Sequence, residues 1–145
     1  MPELDIRPDQ SIELLKALHI LTRDGKMNQD SRRKLKQVYH LLQFIEPLLL
    51  QLAQDGHSVS LVDHGAGKSY LGFMLYDVFF KQRHDESHIY SIETRPELVD
   101  RAMQLAKTLA FDRMSFLPLS VAESMNSSAL PTTVDIVTAL HACDT

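Results

Sequence analysis

Leu61-Val62-Asp63-His64-Gly65-Ala66-Gly67-Lys68-Ser69-Tyr70-Leu71 decides how this chain is read. Val59, Leu61 and Val62 have the character of a buried strand, and Leu71, Met74, Leu75, Val78 and Phe79 that of an apolar helix. A strand that breaks into Gly-x-Gly and feeds a helix builds a cradle for a nucleotide or cofactor. Gly65 permits a turn closed to other residues, and Gly67 lets a ligand approach the backbone with no Cβ in its way. The free N–H groups at the start of the following helix then face the ligand.

Spacing separates the ligand classes. A phosphate-binding P-loop needs a glycine five residues before Gly-Lys-Ser. Gly67-Lys68-Ser69 is present, but Val62 holds the glycine position. The dinucleotide fingerprint needs a third glycine, and Tyr70 stands there. Asp63-x-Gly65-x-Gly67 is left, with an acid that would repel a pyrophosphate and suits a cationic ligand.

The next strand agrees. Ile89-Tyr90-Ser91-Ile92-Glu93 alternates and ends in an acid 26 residues after Gly67. An acid about 20 residues past such a turn accepts hydrogen bonds from ribose hydroxyls. Thr94 and Glu97 have the spacing of a capping box, and Pro96 suits a first helical turn. Leu98, Val99, Ala102, Leu105, Ala106 and Leu109 give the helix that follows its apolar stripe. Met114 to Leu119 reads as a third strand edged by Pro118. Val134 to Leu140 is a β-branched run suited to a fully buried parallel strand, and it leads into His141-Ala142-Cys143-Asp144-Thr145.

Taken together, residues 63–71, 89–97 and 135–145 resemble one branch of the class I S-adenosylmethionine-dependent methyltransferases. That branch pairs a Gly-x-Gly-Lys-[Gly/Ser]-[Tyr/His]-Leu turn with Ala-Leu-His-Ala-Cys-Asp-Thr at the fourth strand. The resemblance covers residues 59–145. Many relatives have glycine where this chain has Ser69, whose hydroxyl would either reach the ligand or cap the helix. The resemblance implies an α/β, Rossmann-like, doubly wound parallel sheet, of which strands at 59–63, 89–93, 114–118 and 134–140 are the first four of seven. It implies S-adenosyl-L-methionine as cofactor, held by Asp63, Gly65, Ala66, Gly67, Lys68 and Glu93, with Ser120, Val121 and Ala122 at the adenine ring. His141 and Asp144 would position the acceptor or act as base, and Cys143 would be a nucleophile or a small filler.

The sulfonium of that cofactor is already a good leaving group, so holding the acceptor in line is the protein's main task. A base helps only where the acceptor arrives protonated. Two function classes stay open: a methyltransferase, and a cofactor-binding or vestigial domain without turnover. A dinucleotide enzyme is a weaker third, disfavoured by Tyr70. With four strands of seven, the acceptor pocket lacks a wall, and the open edge of the fourth strand favours self-association.

Composition bounds these readings. The chain has 145 residues, one cysteine and a net charge of −4. It is long enough for one real core, burying roughly 70% of its unfolded surface. One cysteine excludes internal disulfides and agrees with a cytoplasmic setting. Met1 to Gln10 is acidic and polar, unlike a signal peptide. No apolar run approaches the ~20 residues of a membrane span.

Residues 1–57 read as an N-terminal helical lobe and 58–145 as the cofactor-binding domain. Ile12, Leu15, Leu18, His19 and Leu21 recur at helical spacing until Gly25. A second helix starts near Asn28 or Asp30 with Leu35, Val38, Tyr39, Leu42 and Ile45 on its apolar face. Pro47 is expected to bend or end it, and 48–53 to resume as a short helix. Arg32, Arg33, Lys34 and Lys36, with Arg23 and Lys26 nearby, form either a patch facing RNA or phosphate, or a solvated helix face. The acidic balance of the chain favours the second. His84, Asp85, Glu86 and His88 lack a fixed frame and are not read as a metal site.

Overall fold

The computed structural model describes residues 6–54 and 56–139. Its centre is a four-stranded, all-parallel sheet of β1 (Ser60–His64), β2 (His88–Ile92), β3 (Met114–Leu117) and β4 (Ile136–Thr138), in the order β3-β2-β1-β4. Parallel neighbours need crossovers, and helices supply them. α3 (Tyr70–Val78) follows β1, and α4 (Pro96–Thr108) follows β2. The result is the α/β, Rossmann-like sheet expected, with the order reversing between β1 and β4. In such sheets ligands bind outside the carboxyl ends of the strands at that reversal.

Register places Leu61 beside Ile89 and Ile136, and Asp63 beside Ser91 and Thr138. α3 lies on this face. A Cβ at Gly72 would stand 3.4 Å from Ser91 Oγ and 3.6 Å from Ile89 Cγ2. Every residue from Leu71 to Val78 is buried, so α3 reads as apolar all round, as a central helix should. Tyr76 stacks on Phe111 with ring centroids 4.5 Å apart, and Phe73 lies 5.7 Å from Phe116. Arg113 closes this corner: its guanidinium donates to the carbonyls of Ser87, Phe80 and Arg83 at 2.7–2.9 Å.

The fourth strand departs from expectation. Val137 is 59% exposed, and Ile136 and Thr138 are half-buried. Among the described residues β4 pairs only with β1, so it is an edge rather than a centre, and its outward face lacks a covering layer.

The N-terminal helices share the core with the sheet: Leu14, Leu15, Leu35 and Leu42 belong to the same buried cluster as Leu61 and Phe73. α1 (Ile12–Ala17) stops earlier than its periodicity suggests. His19 adopts φ 60°, its N–H donates to Lys16 O at 3.0 Å, and Ile20 N–H donates to Leu15 O at 2.9 Å. That is a Schellman ending built without glycine. Asp77, fully buried on α3, accepts hydrogen bonds from the Gln10 side chain, from Ser11 N–H at 2.6 Å and from Lys81 Nζ at 2.8 Å. Arg7 pairs with Glu46 on the second helix.

α2 (Gln29–Gln54) is one helix of 26 residues. Asn28 caps it, accepting Ser31 N–H at 2.8 Å. Pro47 neither ends nor divides it. Pro47 and Gln43, whose carbonyl it leaves without a helical donor, are both exposed, so water can satisfy that carbonyl. No helix among the described residues is long and apolar enough to cross a membrane.

Candidate functional site

The glycine turn and the two loops beyond β2 and β3 meet at the carboxyl ends of the strands. Gly65 and Gly67 have φ 61° and 59°, conformations that glycine adopts without strain. Ala66 N–H donates to Ile92 O at 3.0 Å and Ser69 N–H to Ala66 O at 2.9 Å, which folds the turn back on the end of β2. Ser69 shares the positive φ, at 64°, and its side chain makes no capping hydrogen bond. The position is therefore one that glycine fits, and the expected hydroxyl cap is absent.

Glu93 is the first residue after β2 and is 6% exposed. Its Oε1 accepts Gly67 N–H at 2.8 Å. Its Oε2 accepts Arg95 N–H at 3.0 Å and Arg95 Nε at 2.8 Å. The guanidinium of Arg95 holds the carboxyl down to about 2 against its ordinary 4.5, with the backbone donors of Arg95 and Gly67 assisting. Thr94 forms no capping box with Glu97: Arg95 is the N-cap of α4, its side chain turned to Glu93 instead. The capping box of this region lies one loop on. Ser120 caps the short α5 (Val121–Ser124), its Oγ accepting Glu123 N–H at 3.1 Å while Glu123 accepts Ser120 N–H at 2.9 Å.

Gly65, Glu93, Ser120, Val121 and Ala122 line one cavity of about 260 Å³, together with Ile92, Thr94 and Leu119. No cationic side chain among the described residues lines it. Asp63 and Ala66 line a neighbouring cleft with Lys34, Gln37 and Tyr70. Asp63 is buried and accepts Thr138 Oγ1 at 2.7 Å, which joins β1 to β4. Lys68 faces a third cleft, between α1 and α4, with His19 and Arg101. His141, Cys143 and Asp144 lie outside the described residues.

Two residues are added to the site by the structure. Arg95 is one. The other is His64, the last residue of β1. Its Nδ1 is buried without a hydrogen-bond partner, and burial pushes its imidazole below the ordinary value, towards the neutral form. It faces a large, open cavity with Ser124, Asn126 and Val137. Periodicity marks His64 only as a strand end, so nothing in the sequence singled it out.

Of the basic cluster, Lys34 pairs with Asp30 at 3.1 Å and lies 5.7 Å above the Tyr70 ring. Arg33 and Lys36 are exposed, and Arg32 is half-buried. The polar connection before β2 has structural partners. Asp85 pairs with Arg83 at 2.6 Å, and His88 Nε2 lies 2.7 Å from Ser115 Oγ. No group of three or more His, Cys, Asp or Glu among the described residues could hold a metal ion.

Residues 33–145 match the family model described as a methyltransferase domain. The chain belongs to that family. The match begins within α2 and spans every strand of the sheet. Among solved structures, the plantazolicin methyltransferase BpumL in complex with SAH is similar, with a TM-score of 0.42 and 18% identity. The alignment covers 88% of this chain and 48% of that one, so the chain spans about half the length of that structure. No curated protein matches the chain.

Proposed function

We propose that the cavity beside Glu93 holds the adenosine end of S-adenosyl-L-methionine, and that the chain is the cofactor-binding part of a methyltransferase. One observation carries this reading: Gly65, Glu93 and Ser120, Val121 and Ala122, from three separate loops, line a single cavity. The lining suits such a ligand. Glu93 offers a carboxylate that stays ionised, which favours ribose hydroxyls. Ile92, Leu119 and Val121 give apolar walls for a flat ring. The ionised Glu93 in the lining would repel a pyrophosphate, which argues against a dinucleotide placed with its phosphates there.

In this reading Asp63, Ala66 and Gly67 serve the amino-acid end of the cofactor, while Lys68 faces the cleft between α1 and α4 instead. The cofactor supplies a methyl group on a sulfonium; the chain's own task is to bind and orient. His141 and Asp144 would hold the acceptor, or take a proton from it, and Cys143 is the weaker candidate for contact with it. The acceptor would be RNA or protein, and RNA would meet the exposed Arg33 and Lys36 on α2.

One observation, the 59% exposure of Val137 on β4, goes with a second reading, a cofactor-binding unit with no turnover of its own. Among the described residues β4 pairs only with β1, and in that reading its other edge would pair with a second copy. Calorimetric titration with S-adenosylhomocysteine, NAD and ATP tests the cofactor. Binding of the first alone supports the assignment, and binding of NAD or ATP in its place overturns it.

A further inference from the structure

An ionised carboxylate has about four lone-pair sites for hydrogen bonds. Those of Glu93 are filled. Gly67 N–H and Arg95 Nη2 reach Oε1 at 2.8 and 3.2 Å. Arg95 N–H, Arg95 Nε and Thr94 Oγ1 reach Oε2 at 3.0, 2.8 and 3.5 Å. The two backbone donors belong to the glycine turn and to the start of α4, and neither can leave without undoing that structure. The guanidinium belongs to a side chain that is 59% exposed. It is the donor free to move. Its Nη2 also stands 3.8 Å from where a Cβ on Gly67 would lie, so the group extends along the flank of the turn.

We propose that Arg95 competes with the cofactor's ribose for Glu93, and that its release sets the affinity of the site. The inference rests on the reading of Glu93 as the ribose acceptor. Arg95 acts as a positioning residue: it keeps the carboxylate ionised and aimed while the site is empty, then gives up two hydrogen bonds when the hydroxyls arrive. S-adenosylhomocysteine is a zwitterion whose ammonium and carboxylate contacts are screened alike with and without Arg95, so the salt effect of this ion pair is read as the difference between the wild type and Arg95→Gln. Salt screens an exposed pair. Affinity of the wild type relative to Arg95→Gln therefore rises with ionic strength.

The test is calorimetry of the full chain with S-adenosylhomocysteine at low and high salt, for the wild type, Arg95→Gln, Arg95→Lys and the double variant Arg95→Gln with Glu93→Gln. Arg95 caps α4 through its backbone alone, so the fold should survive these changes, and circular dichroism checks that. Arg95→Gln should tighten binding about twofold to fivefold at low salt, the range an exposed ion pair commands, with the gain shrinking at high salt. Arg95→Lys, which keeps the charge but loses the fork, should fall between the two. Unchanged or weaker binding by Arg95→Gln overturns the competition. The double variant judges the underlying reading separately: a loss of about tenfold against Arg95→Gln keeps Glu93 at the ribose, and no loss removes it from the site.

Discussion

The backbone N–H of Gly67 donates to Oε1 of Glu93 at 2.8 Å, which ties the turn after β1 to the carboxylate after β2. One acid thus fixes the relative position of two loops that the chain separates by a helix and a strand. Replacing it should have two separable effects. The first is on ligand binding. Glu93→Ala should weaken S-adenosylhomocysteine roughly tenfold, as expected for loss of a charged acceptor. Gly65→Val should abolish binding, because φ 61° strains a β-branched residue. Calorimetry on both variants, with folding checked by circular dichroism, reads these outcomes. An unchanged dissociation constant for either one removes that residue from the site.

The second effect is on acid stability. The Glu93 carboxyl is held at about 2 in the folded chain against 4.5 ordinarily. The unfolded state therefore binds its proton first as pH falls, and the contribution of Glu93 is complete above pH 4.5 and lost on the way down to about 2. Glu93→Gln should lower the urea midpoint at neutral pH and leave a flatter decline between those limits. Parallel acid limbs for wild type and variant would show that Glu93 does not titrate as the structure implies.

Two opposite substitutions should both stabilise the protein. Ala110 ends α4 at φ 58°, where Phe111 N–H reaches Ala106 O at 2.8 Å, a position that suits glycine. Gly72 lies inside α3 with ordinary helical φ, and a Cβ there would find contacts at 3.4–3.6 Å, within normal packing distance. Ala110→Gly should gain about 0.5–1 kcal/mol from relieved strain, less the added freedom of the unfolded chain. Gly72→Ala should gain up to about 1 kcal/mol from helix propensity. Urea titration of the two variants checks both signs, and a destabilised Gly72→Ala would mean that α3 cannot yield a few tenths of an ångström to the sheet.

The attachment of the N-terminal segment should depend on Asp77. Asp77→Ala leaves the Gln10 side chain and the Ser11 N–H without their acceptor, and Lys81 without its partner. A loss of roughly 3 kcal/mol is expected for a broken buried charge network. Hydrogen exchange should show the amides of α1 opening first, with those of β1 and β2 still protected. Uniform loss of protection across the chain would show that α1 is not a separable unit.

The framework of the fold was legible because its signals are local. Val59 to Val62, the glycine turn and the apolar run from Leu71 announce strand, turn and buried helix within 20 residues. Glu93 and Ser120 could be placed because each follows a strand whose end the pattern marks. What escaped depends on contacts that periodicity does not encode. Arg95 reaches Glu93 through a side-chain fork, and its spacing instead suggested a capping box at Thr94. Asp77 carries no motif, and its role as acceptor shows only once the helix around it is seen to be buried on every side. His19 and Ala110 end their helices in a conformation usually announced by glycine. Pro47 is a helix breaker by rule, and only the exposure of its face shows why the helix continues.

The partners of Asp77 also order events in time. Gln10 and Ser11 precede it in the chain by 67 and 66 residues. A six-residue helix is too short to persist in water without support. During synthesis α1 is therefore made before its partner and stays unformed until α3 has been made and has emerged. The earlier segment waits for the later one, and until then the apolar side chains of Leu14, Leu15 and Leu18 are open to whatever else the growing chain meets.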